Sequence, residues 1–199
     1  DSGLEDTGKL QWYASLGIDQ LFHKNDMLRI GLNLDSAQDG YEKGTRGHNI
    51  SYTYPYGRHT FSLSYQRSKY HQTVASMPYD FISAGDTNIS VLSWDYVLSR
   101  SANRKTSMDI RLRKRNSHRF LNDVELPIQA MHQTSMEVGL AERLYLKRDT
   151  LYFRLAHRFG LGWMGAQEES PYEDVPRTRY RMWLLDADYV HPFEFSHRP

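Results

Sequence analysis

The chain has 199 residues, a net charge of +1 at pH 7, no cysteine and a polar mean hydropathy. This composition excludes a transmembrane helix, which needs roughly 20 mostly apolar residues in a row, and it excludes disulfides, thiolate metal sites and a cysteine nucleophile. The balanced charge gives no case for a nucleic-acid partner. Aromatic residues make up 13% of the chain, which suits the strands of an outer-membrane barrel and equally a tyrosine-rich soluble β protein.

Apolar residues recur at every second position in one segment after another, and no helical periodicity of convincing length is found. A period of two is typical of strands that have one apolar and one polar face. The pattern therefore predicts an all-β fold. In chain order, the nine candidate strands contain residues 10–19, 28–35, 49–54, 61–66, 92–98, 108–113, 136–140, 151–156 and 183–189.

The connections between these strands alternate in length. Short ones are predicted near residues 20–25, 55–58, 101–104 and 147–149, and long ones near residues 36–45, 70–86, 117–131 and 160–178. A transmembrane antiparallel β-barrel has this alternation because its periplasmic turns are short and its extracellular loops are long. The first strand then runs from outside to inside. Since such barrels have even strand counts, nine strands predict an internal segment of a larger barrel across residues 1–199.

The alternation also assigns two faces to the predicted wall. A charge that faces lipid at the membrane midplane costs about 2–4 kcal/mol, so the charged positions are predicted to face an aqueous lumen. The residues predicted to face the lumen are Arg29, Ser62, Ser64, Gln66, Asp109, Arg111, Arg113, Arg115, Glu137, Arg154, Arg158, Asp186 and Asp188. The residues predicted to face lipid are Leu10, Trp12, Leu16, Leu28, Ile30, Leu32, Tyr52, Tyr54, Phe61, Leu63, Tyr65, Trp94, Tyr96, Ile110, Leu112, Val138, Leu151, Phe153, Leu155, Trp183, Leu185 and Tyr189.

The densest basic run, "RLRKRNSHR" at residues 111–119, fits this assignment. Arg111, Arg113 and Arg115 fall on one face of a strand, and Lys114 falls on the other. A single-stranded nucleic-acid site would interleave stacking aromatics with the basic groups, but the aromatics lie on the opposite face. We therefore interpret the run as an arginine ladder in a hydrated lumen.

Aromatic residues also gather near the strand ends. Tyr52, Tyr54, Tyr56 and Phe61 flank a short turn, and Tyr189 and Phe193 end the last strand; this pattern predicts an interfacial aromatic girdle. Ordinary cross-strand aromatic pairing is the alternative.

Catalytic and metal-binding motifs are missing from the sequence. The nine histidines scatter without HExxH or similar ligand spacing, and no GxSxG elbow, P-loop or dinucleotide GxGxxG is present. Asp186 and Asp188 share one strand face and could in principle act as an acid–base pair, but a polar lumen face is the favoured interpretation. The sequence predicts no enzyme, no metal and no cofactor.

Three segments resemble one family. The hairpin "YPYGRHTFSLSYQRSKYHQTV" (54–74) resembles the Leu-Pro-Tyr-Gly hairpin of the two-partner secretion outer-membrane transporters, in the Omp85 superfamily. The segment 83–129, with its Arg…Lys-Thr turn and its Asp-x-x-Leu loop end, resembles their next hairpin. "GLGWMGA" (160–166) resembles their Gly-x-x-Trp-Phe-Gly-Ala, with Met164 where phenylalanine is usual. The resemblance runs almost from end to end of the chain.

The resemblance implies a sixteen-strand barrel in the bacterial outer membrane, of which this chain covers strands two to ten. A monomeric barrel is predicted, because closure within one chain removes the exposed strand edges. It implies secretion of a large unfolded partner exoprotein, such as an adhesin, a haemolysin or a contact-dependent inhibition toxin, without nucleotide hydrolysis. The family's POTRA domains and loop-six Val-Arg-Gly motif are absent from this sequence. No residue essential for secretion is therefore carried over, and residues 1–199 alone are not expected to secrete.

Two alternatives remain open at this point. The chain could belong to a passive outer-membrane porin, or less readily to a soluble β-sandwich with a binding role. Flanking sequence separates the transporter from the porin, and the environment of the apolar face separates both from the sandwich.

Overall fold

The computed structural model describes residues 11–35, 44–75, 77–168 and 177–193. Leu10, predicted to face lipid, lies outside these ranges. The described chain is all-β, apart from a short 3-10 helix at Pro127–Gln129. The strands are β1 (Gln11–Asp19), β2 (Met27–Asp35), β3 (Gly44–Tyr56), β4 (His59–Val74), β5 (Phe81–Arg100), β6 (Arg104–Leu121), β7 (Val124–Glu125), β8 (Met131–Leu146), β9 (Asp149–Leu161) and β10 (Arg181–Val190).

These strands form one antiparallel sheet in which sequence neighbours are also neighbours in space. The order is β1-β2-β3-β4-β5-β6-β8-β9-β10, and the two-residue β7 pairs only with the end of β6. The predicted all-β antiparallel fold and its nine main strands are thus confirmed. In the part of the chain that the structure describes, no helix has the length and apolar character that crossing a membrane requires.

Several connections are shorter than predicted. β4 continues to Val74 and β5 begins at Phe81, so most of the predicted connection 70–86 is strand. β6 continues to Leu121, which shortens the predicted connection 117–131 in the same way. These extensions carry polar residues on both faces, so hydropathy alone gives no period of two there. The predicted connections 36–45 and 160–178 lie partly outside the described residues.

The two ends of the sheet differ. Residues 20–26, 57–58, 101–103 and 147–148 connect strands at one end, called here the turn end. The opposite end, called the loop end, carries the connections 75–80 and 122–130. Residues 75–80 form a connection one residue shorter than 20–26, so length alone does not separate every connection of the two ends. Tight hairpins at Gly57 and Lys147 take a positive φ, which closes the turn with few residues.

The register shows that the strands are strongly staggered. One row on the apolar face runs through Ile18, Leu28, Tyr52, Leu63, Leu92, Leu112, Met136, Phe159 and Arg181. The row crosses β1 at Ile18, near the turn end, and crosses β10 at Arg181, at the loop end, although both strands run in the same direction. Eight steps of about 4.8 Å at a tilt of about 40° displace a row by about 25 Å along a barrel axis. That displacement matches the roughly 25 Å apolar band of a membrane barrel.

Burial is inverted relative to a water-soluble sheet. On the apolar face, Leu140 and Leu155 are 55% and 51% exposed, whereas Glu137 and Arg154, on the polar face of the same two strands, are each 4% exposed. The buried apolar residues of the described chain are three alanines, Ala84, Ala141 and Ala156. A soluble sandwich buries its apolar faces against a second layer, and among the described residues no such layer covers this face. The protein therefore folds around its polar face.

Candidate functional site

The pairing register sorts the predicted residues into the two expected sets. Every residue predicted to face the lumen lies on the polar face of the sheet, from Arg29 on β2 to Asp188 on β10. Every described residue predicted to face lipid lies on the apolar face, from Trp12 on β1 to Tyr189 on β10. Which face meets water and which meets lipid stays a prediction.

Arg154 on β9 is the centre of a buried ionic network on the polar face. Its Nε and Nη2 atoms donate to the two carboxylate oxygens of Asp109 at 2.8 and 2.6 Å. Its Nη1 donates to Asp186 at 3.2 Å, and Nη2 also donates to Glu137. The planar guanidinium therefore binds one carboxylate in the bidentate geometry that arginine favours and reaches two others.

Two further arginines complete the network. Arg158 Nε donates to Glu137 at 2.8 Å, and Arg111 lies 3.5 Å from Asp109 and 3.6 Å from Glu137. Three cations thus face three carboxylates. Arg154, Asp109 and Glu137 are buried, so unpaired charges there would be costly, whereas the side chains of Arg111 and Asp186 are 43% and 57% exposed. The central charge network consists of Arg111, Arg154, Arg158, Asp109, Glu137 and Asp186.

A gap on β8 allows Arg154 to reach Asp109. These residues lie on β9 and β6, and β8 runs between them with Gly139 beside Asp109 and Ala141 beside Arg154. A Cβ atom on Gly139 would lie 2.7 Å from Asp109 Oδ1 and 2.9 Å from Arg154 Nη2. Since real Cβ atoms do not approach so closely, a side chain at this position would force the ends of Asp109 and Arg154 to move, and glycine leaves their pair undisturbed.

The same arrangement recurs nearer the loop end. Tyr70 on β4 reaches across Gly85 on β5, where a Cβ would lie 2.5 Å from the tyrosine ring. Arg119 on β6 donates to the Tyr70 hydroxyl and lies 5.2 Å from the ring centroid, within cation–π range. Sequence reasoning missed Gly85, Gly139 and Tyr70. A lone glycine inside a strand pattern was the available signal for a close side-chain approach.

The residues of the predicted arginine ladder fall into two groups, one within the central charge network and one outside it. Arg111 joins the central charge network, but Arg113 and Arg115 form no ion pair with the described residues. Arg115 Nε is buried and has no hydrogen-bond partner among them. Arg29 and Asp188 also form no ion pair within the described ranges. The polar face therefore has a neutralised centre and a cationic stretch on β6 toward the loop end.

An aromatic cluster lies on the apolar face at the turn end. The His59 ring on β4 lies beside two aromatic rings of β5. Its centroid is 4.7 Å from that of Tyr96 and 5.9 Å from that of Trp94. Trp94 Nε1 donates to His59 Nδ1 at 3.0 Å. Tyr54 and Phe61 pair directly across β3 and β4. The predicted girdle is thus also a set of cross-strand pairs, and its place at the membrane interface stays a prediction.

The connection 20–26 at the turn end is organised by one carboxylate. Buried Asp26 accepts hydrogen bonds from the Phe22 and Lys24 amides at 3.1 and 3.2 Å and from the Tyr52 hydroxyl at 3.0 Å. Burial by itself raises the pKa of the Asp26 carboxyl, but these hydrogen bonds outweigh burial, and the pKa lies below its ordinary value. The turn is therefore held by a charged acceptor.

An antiparallel meander with staggered strands, an exposed apolar face and buried charges on its polar face is the wall of a transmembrane β-barrel. The chain belongs to the haemolysin secretion/activation protein family ShlB/FhaC/HecB, whose model matches residues 1–199.

Named relatives agree with this assignment. The chain is 32% identical over its whole length to the outer membrane transporter CdiB-2 of Burkholderia pseudomallei and covers 34% of it. Over 85% of its length it is 24% identical to the hemolysin transporter protein HpmB of Proteus mirabilis and covers 33% of that protein. The chain thus spans about a third of the relatives it matches.

Two solved structures share the fold. CdiB from Escherichia coli superposes with a TM-score of 0.90 over 97% of this chain and 36% of its own, at 24% identity. CdiB from Acinetobacter baumannii superposes with a TM-score of 0.77 over 96% of this chain and 33% of its own, at 28% identity. The barrel predicted from the sequence is therefore the right fold class.

Proposed function

We propose that this chain forms part of the wall of a bacterial outer-membrane translocator that secretes a large partner exoprotein through a hydrated pore without nucleotide hydrolysis. Its family and the names of its relatives support this function. The observation that carries it is the buried, charged and hydrogen-bonded polar face. A wall with that chemistry on the inside can line an aqueous pore, and its exposed apolar face can meet lipid.

The polar face suits the passage of an unfolded polypeptide. Along β4 it carries the hydroxyl and amide groups of Ser62, Ser64 and Gln66, which offer an unfolded segment little apolar surface to adhere to. The central charge network satisfies its own charges and stiffens one side of the wall. Arg113 and Arg115 form no ion pair with the described residues, so their charges are available to interact with water, anions or the passing chain.

The remaining parts of the proposal follow from the family. Residues 1–199 correspond to barrel strands two to ten of a sixteen-strand monomeric barrel, with the POTRA domains and loop six outside this sequence. The partner is a secreted adhesin, haemolysin or contact-dependent inhibition toxin, the surrounding partner is outer-membrane lipid, and the chain performs no catalysis.

Site-specific photocrosslinking tests this function. A photoreactive amino acid is placed at Gln66 on the polar face or at Leu92 on the apolar face of the full-length protein, together with a tagged exoprotein that the protein exports. We expect the exoprotein to crosslink at Gln66 during export and not at Leu92. Failure to crosslink at Gln66, combined with free passage of small solutes, would identify a passive porin instead.

A further inference from the structure

A groove lies on the apolar face near the loop end, across β2, β3 and β4. Its volume is about 260 Å³, and it is lined by both aliphatic and basic side chains. Two neighbouring rows of the sheet form it, and each row has a leucine followed by two basic residues. The first row is Leu32, His48 and Arg67, and the second is Leu34, Arg46 and Lys69.

The groove sits where the apolar band ends. Along β4, the side chains on this face are Phe61, Leu63 and Tyr65, and then Arg67 and Lys69 toward the loop end. β3 changes in the same direction, from Ile50 to His48 and Arg46. On a barrel wall this border separates the hydrocarbon layer from the headgroups. Basic side chains just beyond the border are placed to meet anionic headgroups.

The charges of the groove are unbalanced. Asp86 on β5 accepts hydrogen bonds from Arg67 Nε at 3.2 Å and from Arg67 Nη2 at 2.6 Å, and it lies 3.5 Å from Lys69 Nζ. Arg46 is exposed and has no acidic partner among the described residues. Lys69 and Arg67 remain 47% and 38% exposed. Counted over the described residues, the groove therefore keeps a net positive charge, and Arg46 and Lys69 are exposed to a ligand.

We infer that this groove binds a phosphorylated glycolipid of the outer leaflet, with phosphate held by Arg46, Arg67 and Lys69 and an acyl chain lying on Leu32 and Leu34. Arginine and lysine bind phosphate through charge-assisted hydrogen bonds. The two leucines are 45% and 46% exposed, and a neighbouring acyl chain would cover them. Charge complementarity and the aliphatic wall together favour a lipid over a soluble anion. The inference rests on the proposed function, because it requires the chain to lie in the outer membrane with its loop end toward the outer leaflet.

Native mass spectrometry of the purified full-length protein tests the inference and needs no exoprotein, so its result is separate from that of the secretion experiment. The probes are bisphosphorylated lipid A, the same lipid without phosphates, and inorganic phosphate. We expect the phosphorylated lipid to be retained and the dephosphorylated lipid to be lost. The doubly substituted variant R46Q/K69Q should bind the phosphorylated lipid roughly ten- to thirtyfold more weakly.

The matched control is Lys114→Gln, which removes a basic side chain from the same face but outside the groove and should retain lipid normally. In wild-type protein, raising the salt concentration should weaken retention of the phosphorylated lipid alone. Equal retention of both lipids, an equal loss in Lys114→Gln, or competition by inorganic phosphate at the lipid's own concentration would overturn the inference. The charge-conserving variant R46K/K69R should restore binding; failure to restore it in a folded protein would count against a phosphate site.

Discussion

Arg154 and Asp109 form a bidentate ion pair at 2.8 and 2.6 Å although a whole strand, β8, separates them. Most side-chain pairs in a sheet join adjacent strands. Here the pair crosses the intervening strand because Gly139 leaves the space above β8 open. The open space above Gly139 thus lets Arg154 link β9 directly to β6, within a network that spans β6, β8, β9 and β10.

Replacing Gly139 with alanine should break this pair. The new Cβ atom would press against both Asp109 and Arg154, and overpacking of this kind typically costs about 1–3 kcal/mol. The measurement is the free energy of unfolding of the full-length protein in lipid vesicles. Gly17→Ala is the matched control, because Gly17 lies on the polar face of β1 and no described residue comes within 4 Å of an added Cβ. Equal stabilities of the two variants would show that the space above Gly139 is not needed.

Arg154→Gln should be more damaging than the loss of any one of its partners. It leaves Asp109 and Glu137 buried without their main cation, and breaking a buried pair costs about 3–5 kcal/mol. Asp109→Asn leaves Arg154 its contacts with Glu137 and Asp186, so its effect should be smaller. In a double-mutant cycle of these two substitutions, we expect a coupling energy of about 1–3 kcal/mol. Simple additivity would mean that the two side chains do not interact in solution.

Arginine should be tolerated on one face of β4 and not on the other. Leu63 lies in the middle of the apolar stretch of that strand and is 57% exposed, and Ser64 is its neighbour on the polar face. Leu63→Arg should lower the stability of the membrane-inserted protein by about 2–4 kcal/mol. Ser64→Arg should change it by less than about 1 kcal/mol, because its side chain would remain in water. Equal tolerance at both positions would contradict the assignment of the faces.

The turn at residues 20–26 should resist mild acid. Because the pKa of Asp26 is lowered, its carboxylate stabilises the turn fully above the ordinary pKa of about 3.9, and this contribution is lost as the pH falls through the lowered value. A fluorophore attached at Lys24→Cys should report no change between about pH 7 and 4 and a change below that range. In Tyr52→Phe the midpoint should move to higher pH, since one hydrogen bond to the charged form is lost. An unchanged midpoint would contradict the role of the Tyr52 hydroxyl.

Much of the fold could be predicted because a membrane wall keeps a strict period of two. Leu28, Ile30 and Leu32 on β2, for example, indicate both the strand and its apolar face. The full lengths of the strands could not be predicted, because beyond the apolar band both faces of a strand are wetted. Residues such as Ser68 and Lys69 then alternate in direction without alternating in polarity, so the sequence pattern predicts too early an end for β4.

The candidate site could be predicted only in part. Alternation places Asp109, Glu137 and Arg154 on one face, and their opposite charges indicate that they could pair. It does not show which partners meet, because the reach of Arg154 depends on the register of three strands and on Gly139. The basic groove was missed for the same reason: Leu34, Arg46 and Lys69 are distant in the sequence and become neighbours only through pairing.

If the polar face meets water and the apolar face meets lipid, spin labels on the two faces of one strand should be reached by different relaxation reagents. Labels are placed singly at Leu63 and Ser64 of the full-length protein in lipid vesicles, and each is exposed to oxygen and to a water-soluble nickel chelate. We predict that the label at residue 63 is relaxed mainly by oxygen and the label at residue 64 mainly by the nickel complex. A residue 63 label that neither reagent reaches, as in a dry protein core, or a reversal of the two results, would contradict the account.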